Sequence, residues 1–252
     1  EESTLTVTDT PIGEFDLRIS KQDFDHNTSL DEDARSEQQS ASPQGNATLQ
    51  GALFKVTYSG SAETTLRTWV FSTDAHGFVS FDADHKVSGD DLFTLGEKPW
   101  LPLGYYQIEE IQAPEGYKLP EHSLQTWKLS NQNANLIWTN LSSGKENSSS
   151  EHSFTFKDEV IRGNLKVKKI GHTSLSSTDG YSEADEMPSL KGAKIELTNS
   201  SAQPIFYQGK WIAPHEVVTT VDTNELGEAA VEGLPFGSYS LKEITAPAGY
   251  SL

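Results

Sequence analysis

The chain contains two copies of one 19-residue stretch. Residues 101–119 (LPLGYYQIEEIQAPEGYKL) and 234–252 (LPFGSYSLKEITAPAGYSL) align without gaps and are identical at 11 of 19 positions. Such self-similarity in distant parts of a chain indicates tandem copies of one domain. With 252 residues, the chain is long enough for two domains with ordinary cores.

Each copy combines a turn, a strand and a second turn. The opening Leu-Pro-x-Gly predicts a turn because Pro presets φ and Gly tolerates a positive φ, and the closing Ala-Pro-x-Gly-Tyr ends the strand because Pro cannot continue a ladder. By the two-residue period of a strand, the residues on one face are Tyr106, Ile108 and Glu110 in the first copy and Tyr239, Leu241 and Glu243 in the second. Both apolar rows therefore end in an inward glutamate, which is costly to bury without a proton or a partner.

Composition narrows the class of protein. Short apolar alternations between frequent turn residues predict an all-β protein. The net charge of -18 argues against nucleic acid and anionic membranes as partners, and no apolar run is long enough to span a bilayer. The chain has no cysteine and shows no signal peptide, so we expect a soluble segment without disulfides that is either a mature chain or excised from a longer protein.

The patterns predict the following division of the chain. Residues 1–12 form the last strand of a preceding domain or a linker, residues 13–162 form the first repeated domain, and residues 163–252 form the second. Residues 22–48 are acidic and poor in large apolar side chains, so we expect a mobile insertion or loop there. The second domain stops after its glutamate strand and is predicted to lack its last strand.

Two further strands of the first domain also end inward rows with a titratable group. The rows are Phe15, Leu17, Ile19 and Lys21 on the first strand, and Phe154, Phe156 and Asp158 on the last. In the second domain Leu165, Val167 and Lys169 repeat the first of these rows. If the first and last strands are neighbours in a sandwich, Lys21, Glu110 and Asp158 meet inside an apolar core.

Burial of such a trio favours one reaction. Desolvation favours neutral amines and neutral carboxylic acids, and a neutral amine is a nucleophile. Attack of the Lys21 amine on the Asp158 carboxyl, with a protonated Glu110 polarising it and shuttling protons, would expel water and leave an isopeptide bond. Taken singly, each residue is better explained without a reaction, as a lysine that reaches solvent, a glutamate at a strand exit and an aspartate in a turn. The recurrence of Lys169 and Glu243 in register with the repeated turn favours the reactive interpretation.

These motifs resemble those of a known family. First strands such as LRISKQD and LKVKKI, a late strand of the form YxLxExxAPxGY and a last strand FTFKDEVIRG resemble the Cna protein B-type domain of Gram-positive surface adhesins and pilins. The resemblance implies two tandem immunoglobulin-like or prealbumin-like β-sandwiches, each with a Lys to Asn or Asp bond promoted by Glu. By position it gives Lys21 and Asp158 as bonded residues, Glu110 as promoter, and Lys169 with Glu243 in the second domain.

The resemblance is incomplete. The long insertion is unusual, Ile111 and Ile244 stand where the motif usually has Thr, and no acceptor for Lys169 is visible. Leu5, Val7 and Asp9 mimic the row of the last strand, so residues 1–10 are an alternative source of that strand, within one molecule or between two.

The favoured function is a structural stalk module of a cell-wall-anchored adhesin or pilin, with neighbouring domains of the same protein as its partners. The alternative is an adhesin domain that contacts host protein or glycan through the insertion and through exposed tryptophans among Trp69, Trp100, Trp127, Trp138 and Trp211. An enzyme acting on an external substrate is disfavoured because Glu109 and Glu110 face opposite sides of a strand and no Ser-His-Asp or metal-ligand spacing is present. We predict no cofactor and no metal.

Overall fold

The fold is described from a computed structural model of the chain. The structure describes residues 12–27, 42–60, 64–133, 135–148, 153–171 and 189–252. The predicted strand in residues 1–12 therefore lies almost wholly outside the described residues, as does the middle of the predicted insertion.

The chain forms two compact units. The first contains residues 1–42 and 48–159, and the second contains residues 43–47 and 160–252. Residues 43–47, at the end of the predicted insertion, thus pack in the second unit, where the Gln44 side chain is buried and accepts a hydrogen bond from the Phe206 amide (3.1 Å). Asn46 adds hydrogen bonds with Ala202 and Ser238 in the same unit.

The first unit is built from fourteen strands among its described residues. They are β1 (Gly13–Glu14), β2 (Arg18–Asp23), β3 (Leu53–Ser59), β4 (Thr65–Ser72), β5 (Phe78–Ser80), β6 (Lys86–Gly89), β7 (Thr94–Leu95), β8 (Lys98–Pro99), β9 (Leu101–Pro102), β10 (Gly104–Gln112), β11 (Gln125–Gln132), β12 (Asn135–Asn140), β13 (Glu146–Ser148) and β14 (Phe154–Asp158). A short 3-10 helix, Asp25–Asn27, follows β2.

Two sheets of the first unit form a sandwich. One has seven strands in the order β13-β12-β11-β10-β3-β4-β6, and the other has the order β14-β2-β5. Their inner faces meet through aromatic rings: Phe54 packs against Phe156 at 4.9 Å between ring centroids, and Trp138 packs against Phe154 at 5.1 Å. Alternating apolar side chains on both sheets are fully buried, which is the arrangement that the two-residue period predicts.

The first and last strands of this unit are neighbours. β2 lies between β14 and β5 and pairs with β14 in parallel, with Phe156 opposite Lys21 and Asp158 opposite Asp23. Because facing residues of paired strands point to the same side of a sheet, this register places Lys21 and Asp158 on the inner face.

The described residues of the second unit, which leave out residues 172–188, form seven strands. They are β15 (Arg162–Lys168), β16 (Lys194–Asn199), β17 (Ile205–Tyr207), β18 (Lys210–Ile212), β19 (Val217–Asp222), β20 (Glu228–Pro235) and β21 (Tyr239–Thr245). β19, β16 and β21 form one sheet and β15 pairs with β20 in another. Within the described part of the chain, β15 is paired with one strand, β20. The strand that corresponds to β15 in the first unit is β2, which is paired on both edges.

The sequence predicted most of these strands but missed several. The sequence predicts the late strands β10 and β21, the first strands β2 and β15 and the last strand β14, but not β6 to β9, β13 or the hairpin of β17 and β18. Several of the missed strands have only two or three residues, too short for an alternating pattern to stand out.

Candidate isopeptide site

The first unit brings Lys21, Glu110 and Asp158 together. Lys21 lies on β2, Glu110 near the end of β10, and Asp158 at the end of β14. The Lys21 Nζ donates a hydrogen bond to Glu110 Oε2 at 2.6 Å and contacts Asp158 Oδ1. All three side chains are fully buried.

The local sequence explains why these groups point inward. Leu17 and Ile19 precede Lys21 on the inner face of β2, and Tyr106 and Ile108 precede Glu110 on the inner face of β10, and all four are fully buried. Each row carries its polar end group into the core because a strand cannot change faces without a bulge. The ladder of β10 with β3 stays regular up to Glu110 and shifts only after it, so the carboxylate is held on the inner face.

Burial changes the protonation of both carboxyl groups. It raises the pKa of Glu110 to about 7; the Lys21 ammonium opposes this rise and the Asp158 carboxylate adds to it. Burial also raises the pKa of Asp158, again against the effect of Lys21. Glu110 Oε1 and Asp158 Oδ2 have no hydrogen-bond partner, so the cluster is short of donors. Such a site favours neutral acids over two adjacent carboxylates.

The second unit contains half of this arrangement. Lys169 Nζ lies 2.7 Å from Glu243 Oε2, as the repeat predicts. However, these side chains keep 23% and 24% of their exposure, and among the described residues no second carboxylate pairs with Lys169. The acceptor left open by the sequence analysis is therefore not found among the described residues.

The tryptophans of the alternative function are mostly part of the core. Trp69 and Trp138 are fully buried and Trp127 is 5% exposed, so these three pack in the core and are not available as the contact surface of the alternative function. They are buried because their strands present them to the space between the two sheets of the first unit. Trp100 and Trp211 remain partly exposed. No group of His, Cys, Asp and Glu in the described part of the chain could hold a metal ion, and no described helix could span a membrane.

Sequence comparison identifies the family. The model of the SpaA prealbumin-like fold domain matches residues 40–143 and 180–252, which is more than half of the chain. The chain belongs to this family. The match confirms the resemblance to Cna B-type domains and the all-β, prealbumin-like fold in two copies. The matched SpaA-type segments contain Glu110 and Glu243 but not Lys21, Asp158 or Lys169.

Several solved structures are similar to this chain at low sequence identity. The TIE protein of Bacillus anthracis is 22% identical with a TM-score of 0.44; the alignment covers 95% of this chain and 30% of that one. A C-terminal fragment of the pilus adhesin SpaC from Lactobacillus rhamnosus GG is 17% identical with a TM-score of 0.41, over 94% and 79% of the two chains. The shaft pilin SpaA of the same organism is 14% identical with a TM-score of 0.28, over 95% and 90%.

The chain is shorter than some of these proteins. It spans 30% of the TIE protein and 55% of a streptococcal ancillary pilin. The comparison with curated proteins gives no match.

Proposed function

We propose that this chain is a stalk module of a Gram-positive cell-surface protein, an adhesin or a pilin, located outside the cell at the cell wall. Its first unit is stabilised by an isopeptide bond between Lys21 and Asp158 that Glu110 promotes. The observation that carries the proposal is the enclosure of these three side chains, with the Lys21 amine in contact with both carboxyl groups. Membership of the SpaA prealbumin-like family supports the surface location.

The bond would form by a proton transfer followed by attack of the amine and loss of water. A proton leaves the Lys21 amine for the Asp158 carboxylate within the enclosed cluster, which gives a neutral amine and a neutral acid. The Nζ attacks Cγ of Asp158, while Glu110 takes the second proton from nitrogen and gives its own proton to the departing hydroxyl. One C–N bond forms, one C–O bond breaks, and one water molecule leaves. Glu110 is restored, and the reaction occurs once in each molecule.

The location of the bond suits a load-bearing role. It would join the first strand to the last one, which already lie side by side in parallel. Tension that enters at Lys21 would leave at Asp158 without extending the sheets between them. The bond would also close a loop of about 137 residues, which on the chain-entropy model stabilises the fold by roughly 5 kcal/mol.

Two measurements test this proposal. Intact mass of the purified chain is expected to be one water molecule below the sequence mass, and fragmentation is expected to yield Lys21 and Asp158 in one linked peptide. A mass equal to that of the sequence would overturn the bond. When single molecules are pulled from both ends, the residues between Lys21 and Asp158 are expected not to extend; their full extension would overturn the load-bearing role.

A further inference from the structure

Next to the proposed bond lies a third buried carboxylate that the reaction does not consume. Asp23 is the last residue of β2 and is fully buried, and its backbone is paired with that of Asp158. The backbone amide of Phe24 donates to the Asp158 carbonyl at 2.9 Å, which fixes the two strand ends together. The Asp23 and Asp158 side chains therefore stand side by side on the inner face.

The Asp23 carboxylate is held by several hydrogen bonds. The hydroxyl of Tyr117 donates to Oδ2 at 2.6 Å, and the backbone amides of Asp25 and His26 donate to Oδ1 at 2.8 and 3.4 Å. Three donors around two oxygens suit an ionised carboxylate, since hydrogen bonds to the charged form favour it. Tyr117 is the tyrosine of the Ala-Pro-x-Gly-Tyr turn and is itself buried.

The second unit has the same tyrosine without the carboxylate. Tyr250 closes the repeated turn there, and Gly171 follows Lys169 by two residues as Asp23 follows Lys21. A Cβ added to Gly171 would lie 2.8 Å from the Tyr250 hydroxyl, so this tyrosine also reaches over the position two residues after the lysine. In both units the tyrosine of the turn therefore lies beside the position two residues after the lysine. Only in the first unit does that position carry a carboxylate, Asp23.

We propose that Asp23, held by Tyr117, is a positioning residue for isopeptide formation in the first unit. Its fixed negative charge disfavours the Asp158 carboxylate and so favours the neutral acid, the form that an amine can attack with loss of water. Asp23 is among the groups that raise the pKa of Asp158. The hydrogen bond to Tyr117 also fixes the end of β2, and with it the distance between Lys21 and Asp158. This inference rests on the proposed bond.

The groups around Asp158 define what the pH dependence reports. Lys21 faces it from β2, Glu110 from β10 and Asp23 from the end of β2. Bond formation is expected to require a protonated Glu110 and one further proton shared between Lys21 and Asp158. At low pH the rate is therefore expected to fall, because Asp158 gains a proton while Lys21 keeps its charge. The pKa of Asp158 sets the pH of this fall, which is the acid limb of the rate profile, and Asp23 raises that pKa.

The test follows water loss by mass while newly synthesised full chain, which has not yet formed the bond, folds for the first time across a range of pH. Asp23→Asn keeps the shape and removes the charge, so the rate is expected to fall about tenfold and the acid limb to move to lower pH, because the pKa of Asp158 falls. Tyr117→Phe keeps the charge and removes the hydrogen bond, so the rate is expected to fall with the limb unmoved. Tyr250→Phe, the matched change in the second unit, is expected to have no effect.

The outcomes separate the two proposals. If the wild-type chain loses no water, the proposed bond is wrong. If the wild type loses water and Asp23→Asn does so at the same rate with the same profile, the role of Asp23 is wrong. An equal slowing at every pH in Asp23→Asn, with no shift of the acid limb, would also overturn it, since it would reduce Asp23 to a packing residue. Should Asp23→Asn fail to fold, an unchanged rate in Tyr117→Phe would count against the positioning role.

Discussion

The two units carry the same lysine–glutamate pair in two different environments. In the first, Lys21 and Glu110 are fully buried, whereas Lys169 and Glu243 keep about a quarter of their exposure. The apolar residues before them differ in the same way: Ile108 is fully buried, but its counterpart Leu241 is 45% exposed. An ion pair that retains water has little reason to give up its charges. The same lysine–glutamate pair can therefore be buried or hydrated, and the surrounding strands decide which.

The source of the enclosure is visible in the sheets. In the first unit β14 covers one edge of β2, and its aromatic residues fill the space between the sheets. Among the described residues of the second unit, the corresponding inner faces border a groove of about 410 Å³ lined by residues that include Leu165, Tyr239 and Leu241. In the first unit β14 therefore supplies both Asp158, the proposed acceptor, and the cover that excludes solvent from Lys21 and Glu110.

The largest expected effect separates the two lysines. Lys21→Met is expected to restore the full sequence mass and to lower the unfolding temperature by roughly 10–20 °C, since about 5 kcal/mol of loop-closure stabilisation is lost. Lys169→Met is expected to leave the mass deficit unchanged. Mass spectrometry and thermal unfolding of both variants check this prediction. If Lys169→Met has the full mass of its sequence and Lys21→Met keeps the mass deficit, the assignment is reversed.

Substitution of the two glutamates is also expected to affect bond formation in the first unit only. Glu110→Gln keeps a hydrogen-bonding side chain but cannot exchange protons, so bond formation is expected to slow by about 10²–10⁴-fold. Glu243→Gln is the matched control and is expected to change neither the rate nor the yield. Water loss followed by mass during the first folding of newly synthesised, unbonded chain distinguishes the variants. Equal rates for wild type and Glu110→Gln would remove Glu110 from the mechanism.

Packing differences should appear as stability differences. Ile108→Ala is expected to cost about 2–5 kcal/mol because it empties a fully buried site. Leu241→Ala is expected to cost about 1 kcal/mol or less, since its side chain already meets solvent. Hydrogen exchange of the full chain at increasing denaturant concentration gives the free energy of unfolding of each unit, and so the loss caused by each substitution. Similar losses would mean that Leu241 is covered in solution.

The smallest effect concerns pH. Glu110 must be protonated to act as an acid, and its pKa is raised to about 7. The rate of bond formation is therefore expected to fall as pH rises through 7, by about tenfold per unit on the alkaline limb. The same raised pKa means that the unbonded native state holds a proton that the unfolded state releases above about pH 4.5. The unbonded fold is accordingly expected to lose stability between pH 4.5 and 7. A flat profile from pH 6 to 9 would contradict the role assigned to a protonated Glu110.

The sequence alone determined the duplicated architecture, the identity of the three groups that meet in the first unit and the inward rows that carry them. Phe15 is the exception, since it precedes β2 and is 51% exposed. The rows follow from local rules, because a strand alternates strictly and its end residue shares the face of the row before it. Lys169 and Glu243 satisfy the same local rules, so the sequence predicted an equivalent site there. The tertiary structure alone decided that Lys21 is sealed while Lys169 meets solvent, that Asp23 is held by Tyr117, and that residues 43–47 pack in the second unit. These features depend on contacts between residues far apart in the chain, and solvent exclusion is a property of everything that surrounds a group.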